Sequence, residues 1–312
     1  MRRGTLEPIS VPASYSRPWA GREPSGKARP QFRALHSRPV FFRIPMNPPV
    51  FTLTRGTVPL IVSIPHCGEN LPESFAAQMT PAARLVADTD WHLPKLYDFV
   101  LGMGGSMLRA HYSRYVIDLN RPSDGESLYP GQTTTGLCPA ETFRGEPVYA
   151  EGFAPPDAAE TARRVDQYWK PYHEALQAEI DRLRAQHGRV LVWEAHSIAS
   201  LLPRLFEGEL PGLNLGTFAG ASCAPAVREA VVSATSAGPF SWVADGRFKG
   251  GFITRHYGKP SEGVHTVQLE MTQKLYMDEA APFGWREDLA SVVAPTVEGM
   301  VKAAFLALPK AG

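Results

Sequence analysis

Four short apolar runs punctuate the chain: Val58–Pro65, Tyr115–Leu119, Val190–Trp193 and Val264–Leu269, each of a length that reads as a buried strand. Each runs into residues that an inert core would not carry, namely His66-Cys67-Gly68-Glu69, Asn120-Arg121, Glu194-Ala195-His196 and Glu270. Elsewhere the apolar period lengthens to three or four. Val165, Tyr168, Tyr172, Leu176, Ile180 and Leu183 mark the surest helix, from a cap at Asp157 to a left-handed stop at Gly188, with a kink implied by Pro171. Shorter helices are predicted from Ala82 to Val86, Trp91 to Leu101, Pro225 to about Ser233 and near Leu289–Leu306, with further strands at Phe51–Thr54 and Ser106–Ala110. This alternation predicts an α/β fold, a mostly parallel or mixed central sheet with helices on both faces. In such sheets the carboxyl ends of the strands converge on the edge where ligands bind, so the four polar endings are expected to face one space. An enzyme is the leading reading.

The stretch from Ser123 to Pro156, dense in Gly, Pro, Thr and acids, is a long loop for a compact domain and a candidate lid or binding loop. Residues 1–45 have no periodic apolar pattern and are rich in Pro, Arg, Ser and Gly; they are expected to be a disordered extension, with translation starting at Met46 and one catalytic domain over 46–312. They also hide a charge asymmetry. They carry nine Lys/Arg against two Asp/Glu, so with a net charge of +1 the remainder bears about six net negative charges. Nothing there suggests a nucleic-acid or anionic-membrane partner. No apolar run approaches the ~18–20 residues that span a bilayer. Three cysteines, Cys67, Cys138 and Cys223, have no metal-ligand spacing and cannot all pair, which suits a reducing cytoplasm.

The chemistry concentrates at the strand ends. Two imidazoles, His66 and His196, with one carboxylate, Glu69 or Asp90, make a ligand set for catalytic zinc with a fourth position left for water. Glu270 closes an apolar strand, a costly place for a carboxylate unless it is used, and suits a general base beside the metal. Glu194, two residues before His196, can orient that imidazole. Arg114, Asn120 and Arg121 bracket one apolar run and Arg255 follows a Gly-rich segment; guanidinium groups gathered in one cleft suit a carboxylate-bearing substrate, or an oxyanion. A Cys67–His66 dyad is disfavoured because neighbouring strand residues point apart, Ser197 has no nucleophile-elbow context, and no phosphate-binding glycine loop is present.

Taken together, Val62–Gly68, Asp88-Thr89-Asp90-Trp91-His92, Arg114–Pro122, Glu194-Ala195-His196-Ser197, Leu213–Thr217 and Leu269-Glu270-Met271 resemble the N-formylglutamate amidohydrolases (N-formylglutamate deformylases), over about residues 49–280. The resemblance implies a zinc-dependent exopeptidase-like α/β fold, related to carboxypeptidases and aspartoacylases. It also implies hydrolysis of N-formyl-L-glutamate to formate and L-glutamate, in histidine degradation. By the same resemblance Asn120-Arg121 looks like a substrate-carboxylate clamp, Glu270 like the base, and Asp90 like the usual aspartate ligand. Formylglutamate would present two carboxylates to arginines and one small amide to the metal. Two alternatives are a zinc deacylase of another N-acyl amino acid or small peptide, and a non-catalytic amino-acid-binding protein. The second would be expected to have lost His66 or His196, and both are present.

Overall fold

The alternating periods resolve into a seven-stranded mixed sheet, β1 (Phe51–Thr54), β2 (Leu60–Ile64), β3 (Ser106–Ala110), β4 (Val190–Ile198), β5 (Leu213–Gly216), β6 (Trp242–Ala244) and β7 (Val264–Thr272), in the order β1-β3-β2-β4-β7-β5-β6. This computed structural model describes residues 48–128, 131 and 134–310. The predicted extension over 1–45 and the start at Met46 lie outside the described residues. β3, β2, β4 and β7 run parallel; β1 and β5 join them antiparallel, and β6 pairs parallel with β5. The two longest strands, β4 and β7, are buried along their whole length, as strands covered on both faces must be.

Strand alternation divides the core in two. Leu191, Trp193, Ala195, Val267, Leu269 and Met271 face one apolar cluster, closed by α2 (Leu93–Leu96), α6 (Pro225–Ser236) and α8 (Glu287–Leu306). Ile61, Val190, Val192 and Val264 face the other, closed by α5 (Lys170–His187), whose Tyr172, Leu176, Ile180 and Leu183 form its buried stripe. Helices therefore cover both faces, as the sequence predicts. On that second face the period of two continues past the apolar positions, so Glu194, His196 and Ile198 of β4 and Gln268 and Glu270 of β7 follow on the same side at the carboxyl end.

Several local expectations are corrected. Tyr115–Leu119 is buried as predicted, but it forms turns rather than a strand: Val116 N–H donates to Ser113 O, Asp118 N–H to Leu137 O, and Asn120 N–H to the Asp118 carboxylate. A short polar side chain bonding two residues onward competes with a ladder, and here it bends the chain. The predicted helix over 91–101 is two short ones, α2 and α3 (Phe99–Gly102), and residues 82–86 hold only a 3₁₀ turn, Ala83–Leu85. The long helix from Asp157 is α4 (Ala158–Arg164), a π-helical turn over Val165–Trp169, and α5. The wide turn directly precedes Pro171, which lacks an N–H and whose ring would strike an α-helical carbonyl four residues back. The predicted Gly-rich segment 246–258 contains α7 (Phe252–Tyr257). α8, 20 residues long, is long and apolar enough by composition to cross a membrane, contrary to the sequence expectation; its buried residues, among them Val293, Val297 and Met300, join the core cluster.

Candidate active site

β2 delivers His66 just beyond its carboxyl end, and β4 carries His196 on the face that looks toward the same point. The third member comes from the turn before α2, where Asp90 N–H donates to His66 O at 3.0 Å and so ties the two segments together. All three side chains are buried, and one donor atom from each lies within 4.8 Å of the other two. The imidazole rings sit 4.9 Å apart.

Each histidine is fixed from behind by a carboxylate. His66 Nε2 lies 2.7 Å from Asp118 Oδ1, and His196 Nε2 lies 2.7 Å from Glu194 Oε1, with Asn120 Nδ2 3.1 Å away. Both rings therefore turn Nδ1 toward Asp90, at 3.8 Å for His66 and 3.0 Å for His196. His66 Nδ1, and Oδ1 of the Asp90 carboxylate, are buried with no hydrogen-bond partner. Buried polar atoms are ordinarily satisfied, and imidazoles backed by carboxylates are the usual dress of metal ligands. The residues present thus fit a divalent cation held by two imidazoles and one carboxylate.

Glu69 does not share this place. Asn70 N–H donates to His111 O at 2.9 Å, and a Cβ on Gly68 would lie 2.3 Å from Tyr112 O, so the chain leaves His66 flush against residues 111–112. It carries Glu69 to the exposed rim of a separate depression shared with Lys95 and Arg109. Of the two carboxylates open from sequence, Asp90 is the one brought to the histidines.

Glu270 pairs in register with His196 across β4 and β7 and opens into the cleft that both histidines line. Burial is the main force that raises its pKa to about 8; Asp90 and Glu194 add to the rise, against His196 and Arg114. Such a carboxylate is a stronger base than a solvated one. Asn214, from one of the segments that carry the family resemblance, braces it by donating to Glu270 O at 3.2 Å.

Arg114, Asn120 and Arg121 also line the cleft. Arg114 donates to Asp118 Oδ2 at 2.7 Å; burial by itself would raise the Asp118 pKa, but the positive charge of His66, Arg114 and Arg121 holds it well below the usual carboxylate range. Asn120 is clamped on both sides: its Oδ1 accepts from Ile253 N at 2.9 Å, and a Cβ on Gly251 would collide with its amide at 2.2 Å, so only glycine fits there. Arg121 donates to Thr135 O at 2.9 Å and to Asn120 O at 3.0 Å. Behind this turn the helix wall holds it: His173 Nε2 bonds Leu119 O at 2.8 Å and Trp169 Nε1 donates to Arg121 O at 3.0 Å.

Arg255 is not part of the lining. It bonds Gly250 O and Leu128 O, both at 2.9 Å, and lies over the Phe218 ring, bracing loops. The Gly-rich segment contributes Arg247 instead, beside Phe248. Sequence reasoning missed Arg247, as it did Asp118; the first carries no spacing signal, while the second sits four residues after Arg114, an ion-pair separation that could have been noticed. The Ser123–Pro156 loop supplies Thr134, Thr135 and Phe143 to the cleft wall. Cys67 is inert, its pKa pushed up to about 12 by burial, and Ser197 Oγ is engaged by Tyr276 OH at 2.7 Å on the opposite side of β4.

Known proteins share this arrangement of chain. The N-formylglutamate amidohydrolase family profile matches residues 58–277. The N-formylglutamate deformylase of Pseudomonas putida is 49% identical over 256 residues, 81% of this chain and 95% of that protein; the Pseudomonas aeruginosa protein of the same name is 50% identical over the same shares. The crystal structure of N-formylglutamate amidohydrolase from Ralstonia eutropha JMP134 superposes with a TM-score of 0.69 at 26% identity, over 82% of this chain and 97% of the other. The chain belongs to the N-formylglutamate amidohydrolase family.

Proposed function

We propose that the protein hydrolyses the amide of N-formyl-L-glutamate, giving formate and L-glutamate, and that His66, Asp90 and His196 hold one divalent ion, zinc by the chemistry of the donors. The observation that carries this reading is the buried trio opening onto an arginine-lined cleft, in a chain about half identical to proteins named for that activity. Two nitrogen ligands and one carboxylate are a zinc set that leaves room for a fourth ligand. When bound, such an ion polarises an amide carbonyl and acidifies a water.

The remaining steps belong to this chain. Arg121, with Asn120 and Arg247, binds the carboxylates of the glutamyl portion, and their fixed positions orient the formyl amide toward the trio. Glu270 takes one proton from the attacking water as its oxygen bonds the formyl carbon. Arg114, locked to Asp118, faces the negative charge that develops on the carbonyl oxygen. Glu270 then delivers the proton to the departing nitrogen, the C–N bond breaks, and formate and the free amino group leave. Water is consumed and no other reagent is needed. Three free cysteines among the described residues support a reducing, cytoplasmic setting.

The test is metal analysis of purified protein together with formate release from N-formyl-L-glutamate before and after chelation. One zinc per chain and chelator-sensitive release support the proposal. Full metal occupancy without formate release would redirect it to another N-acyl amino acid, and absence of bound metal would overturn the ion's role.

A further inference from the structure

Phe143 and Ile198 line the catalytic cleft and also a second, partly open cavity, whose other walls include Asp88, Leu202, Gln273 and Phe283. Both are firmly set. Phe143 is 8% exposed, its backbone N–H donates to the buried Asp88 carboxylate at 2.7 Å, and its ring packs against Ile198 and Leu202 in a small apolar cluster. Ile198 follows His196 by two residues on β4 and so shares its face.

These contacts place the partition at the reacting end. The Arg114 guanidinium lies 4.6 Å from the Phe143 ring, Arg114 reaches Asp118 in 2.7 Å, and Asp118 reaches His66 in a further 2.7 Å. The space behind the partition is lined by neither Arg121 nor Arg247; its one arginine, Arg144, is accompanied by Asp88, Glu146 and Glu279, so the space extends the cleft away from the groups assigned to the substrate carboxylates and is net acidic.

We infer that Phe143 and Ile198 set the size limit for the acyl group, admitting a formyl carbon and refusing acetyl and larger acyl groups. The inference rests on the amide-hydrolase reading above. A formyl group presents only hydrogen where acetyl presents a methyl, and a wall fixed by the Phe143–Asp88 bond and by its packing in the apolar cluster cannot yield to that methyl without displacing side chains. Trimming the wall would let the extra carbons pass into the second cavity.

The experiment compares kcat/KM for N-formyl-, N-acetyl- and N-propionyl-L-glutamate in the wild type and in F143A, F143L and I198A. One methyl group discriminated by a pocket is worth about 10- to 200-fold, so the acetyl-to-formyl ratio should rise by about that factor in F143A, and less in F143L. In each protein carrying E270Q in addition, direct titration should give the same ranking as Kd values. A ratio that stays within about twofold of wild type in the variants that fold overturns the inference. So does relaxation that falls on the amino-acid side, read with N-formyl-L-glutamine and N-formyl-L-norleucine. Failure of the wild type to release formate from N-formyl-L-glutamate would instead overturn the activity, while the binding ranking still reads the wall.

Discussion

Replacing Asp118 with Asn changes one atom of a side chain that stands behind His66, yet the structure assigns it a large effect. Its Oδ1 accepts from His66 Nε2 at 2.7 Å and from Asn120 N–H at 2.8 Å, while Oδ2 accepts from Arg114 at 2.7 Å. An amide has a single oxygen. With that oxygen toward His66 and Asn120, its NH₂ group opposes the Arg114 donor; reversed, the NH₂ opposes both His66 and the Asn120 N–H. In the first arrangement Arg114 loses this partner for its buried charge, a break that costs about 3–5 kcal/mol. In the second, His66 loses the carboxylate that fixes its tautomer, which costs about 10- to 100-fold in metal affinity, or about 1.4–2.7 kcal/mol. The assays are urea unfolding of the metal-free protein and zinc competition against a chelator of known affinity. D118N should be destabilised by at least about 1.5 kcal/mol or weakened at least tenfold toward zinc, because one oxygen cannot serve both sides. Values within about 0.5 kcal/mol and about twofold of wild type would refute the reasoning.

E270Q should lower kcat by about 10²–10⁴-fold while leaving zinc content unchanged, as measured by formate release and elemental analysis. Since Glu270 is held at a raised pKa by burial, the neutral amide should not lower the unfolding midpoint at pH 6. R247A should raise KM by roughly tenfold or more, the worth of a charge-assisted hydrogen bond of about 1.5–3 kcal/mol, whereas R255A should move the unfolding midpoint and leave KM within a few fold; the reverse pattern would return Arg255 to the substrate. His173, away from the metal trio, has its pKa lowered to about 3 by burial, from 6.5. Its neutral form is therefore favoured by folding, and its contribution is fully present above pH 6.5 and lost as pH falls toward 3. The loss should be about 2 kcal/mol by pH 5, at about 1.4 kcal/mol per pH unit, and H173Q should show a shallower acid slope in denaturant titrations.

What could be read from sequence was what depends on local pattern. The apolar runs of β2, β4 and β7, the helical stripe from Tyr172 to Leu183, and polar residues at strand ends follow from period and from the cost of burying charge, and they singled out His66, His196 and Glu270, which the fold gathers around one cleft. What period and burial could not decide depended on how the chain travels between elements. Glu69 follows His66 by three residues but is carried outward by the bond from Asn70 to His111. Arg255 and Arg247 lie in one Gly-rich segment, and only the path of the loop decides which reaches the cleft. Tyr115–Leu119 has the composition of a strand and the burial of one, but Asp118 bends it. The two-cavity arrangement around Phe143 comes from a loop without regular structure, which no periodicity describes.

The turn that carries Asn120 and Arg121 owns no place in the sheet; it is held by Trp169 and His173, about 50 residues later, from the π-helical turn and the start of α5. The trio of His66, Asp90 and His196 instead hangs on β2, β4 and the turn beside them. The two halves of the site thus hang on different elements, joined by Asn120 at His196 and by Asp118 at His66, and an opening that lifts the start of α5 is expected to loosen the Asn120-Arg121 turn before it disturbs the trio. In native-state hydrogen exchange, the amides of Asn120 and Arg121 are expected to exchange together with those at the start of α5, and before those of β4. Mild denaturant should accordingly weaken substrate binding ahead of metal retention, so that a protein still carrying its ion can already have lost its grip on the carboxylates.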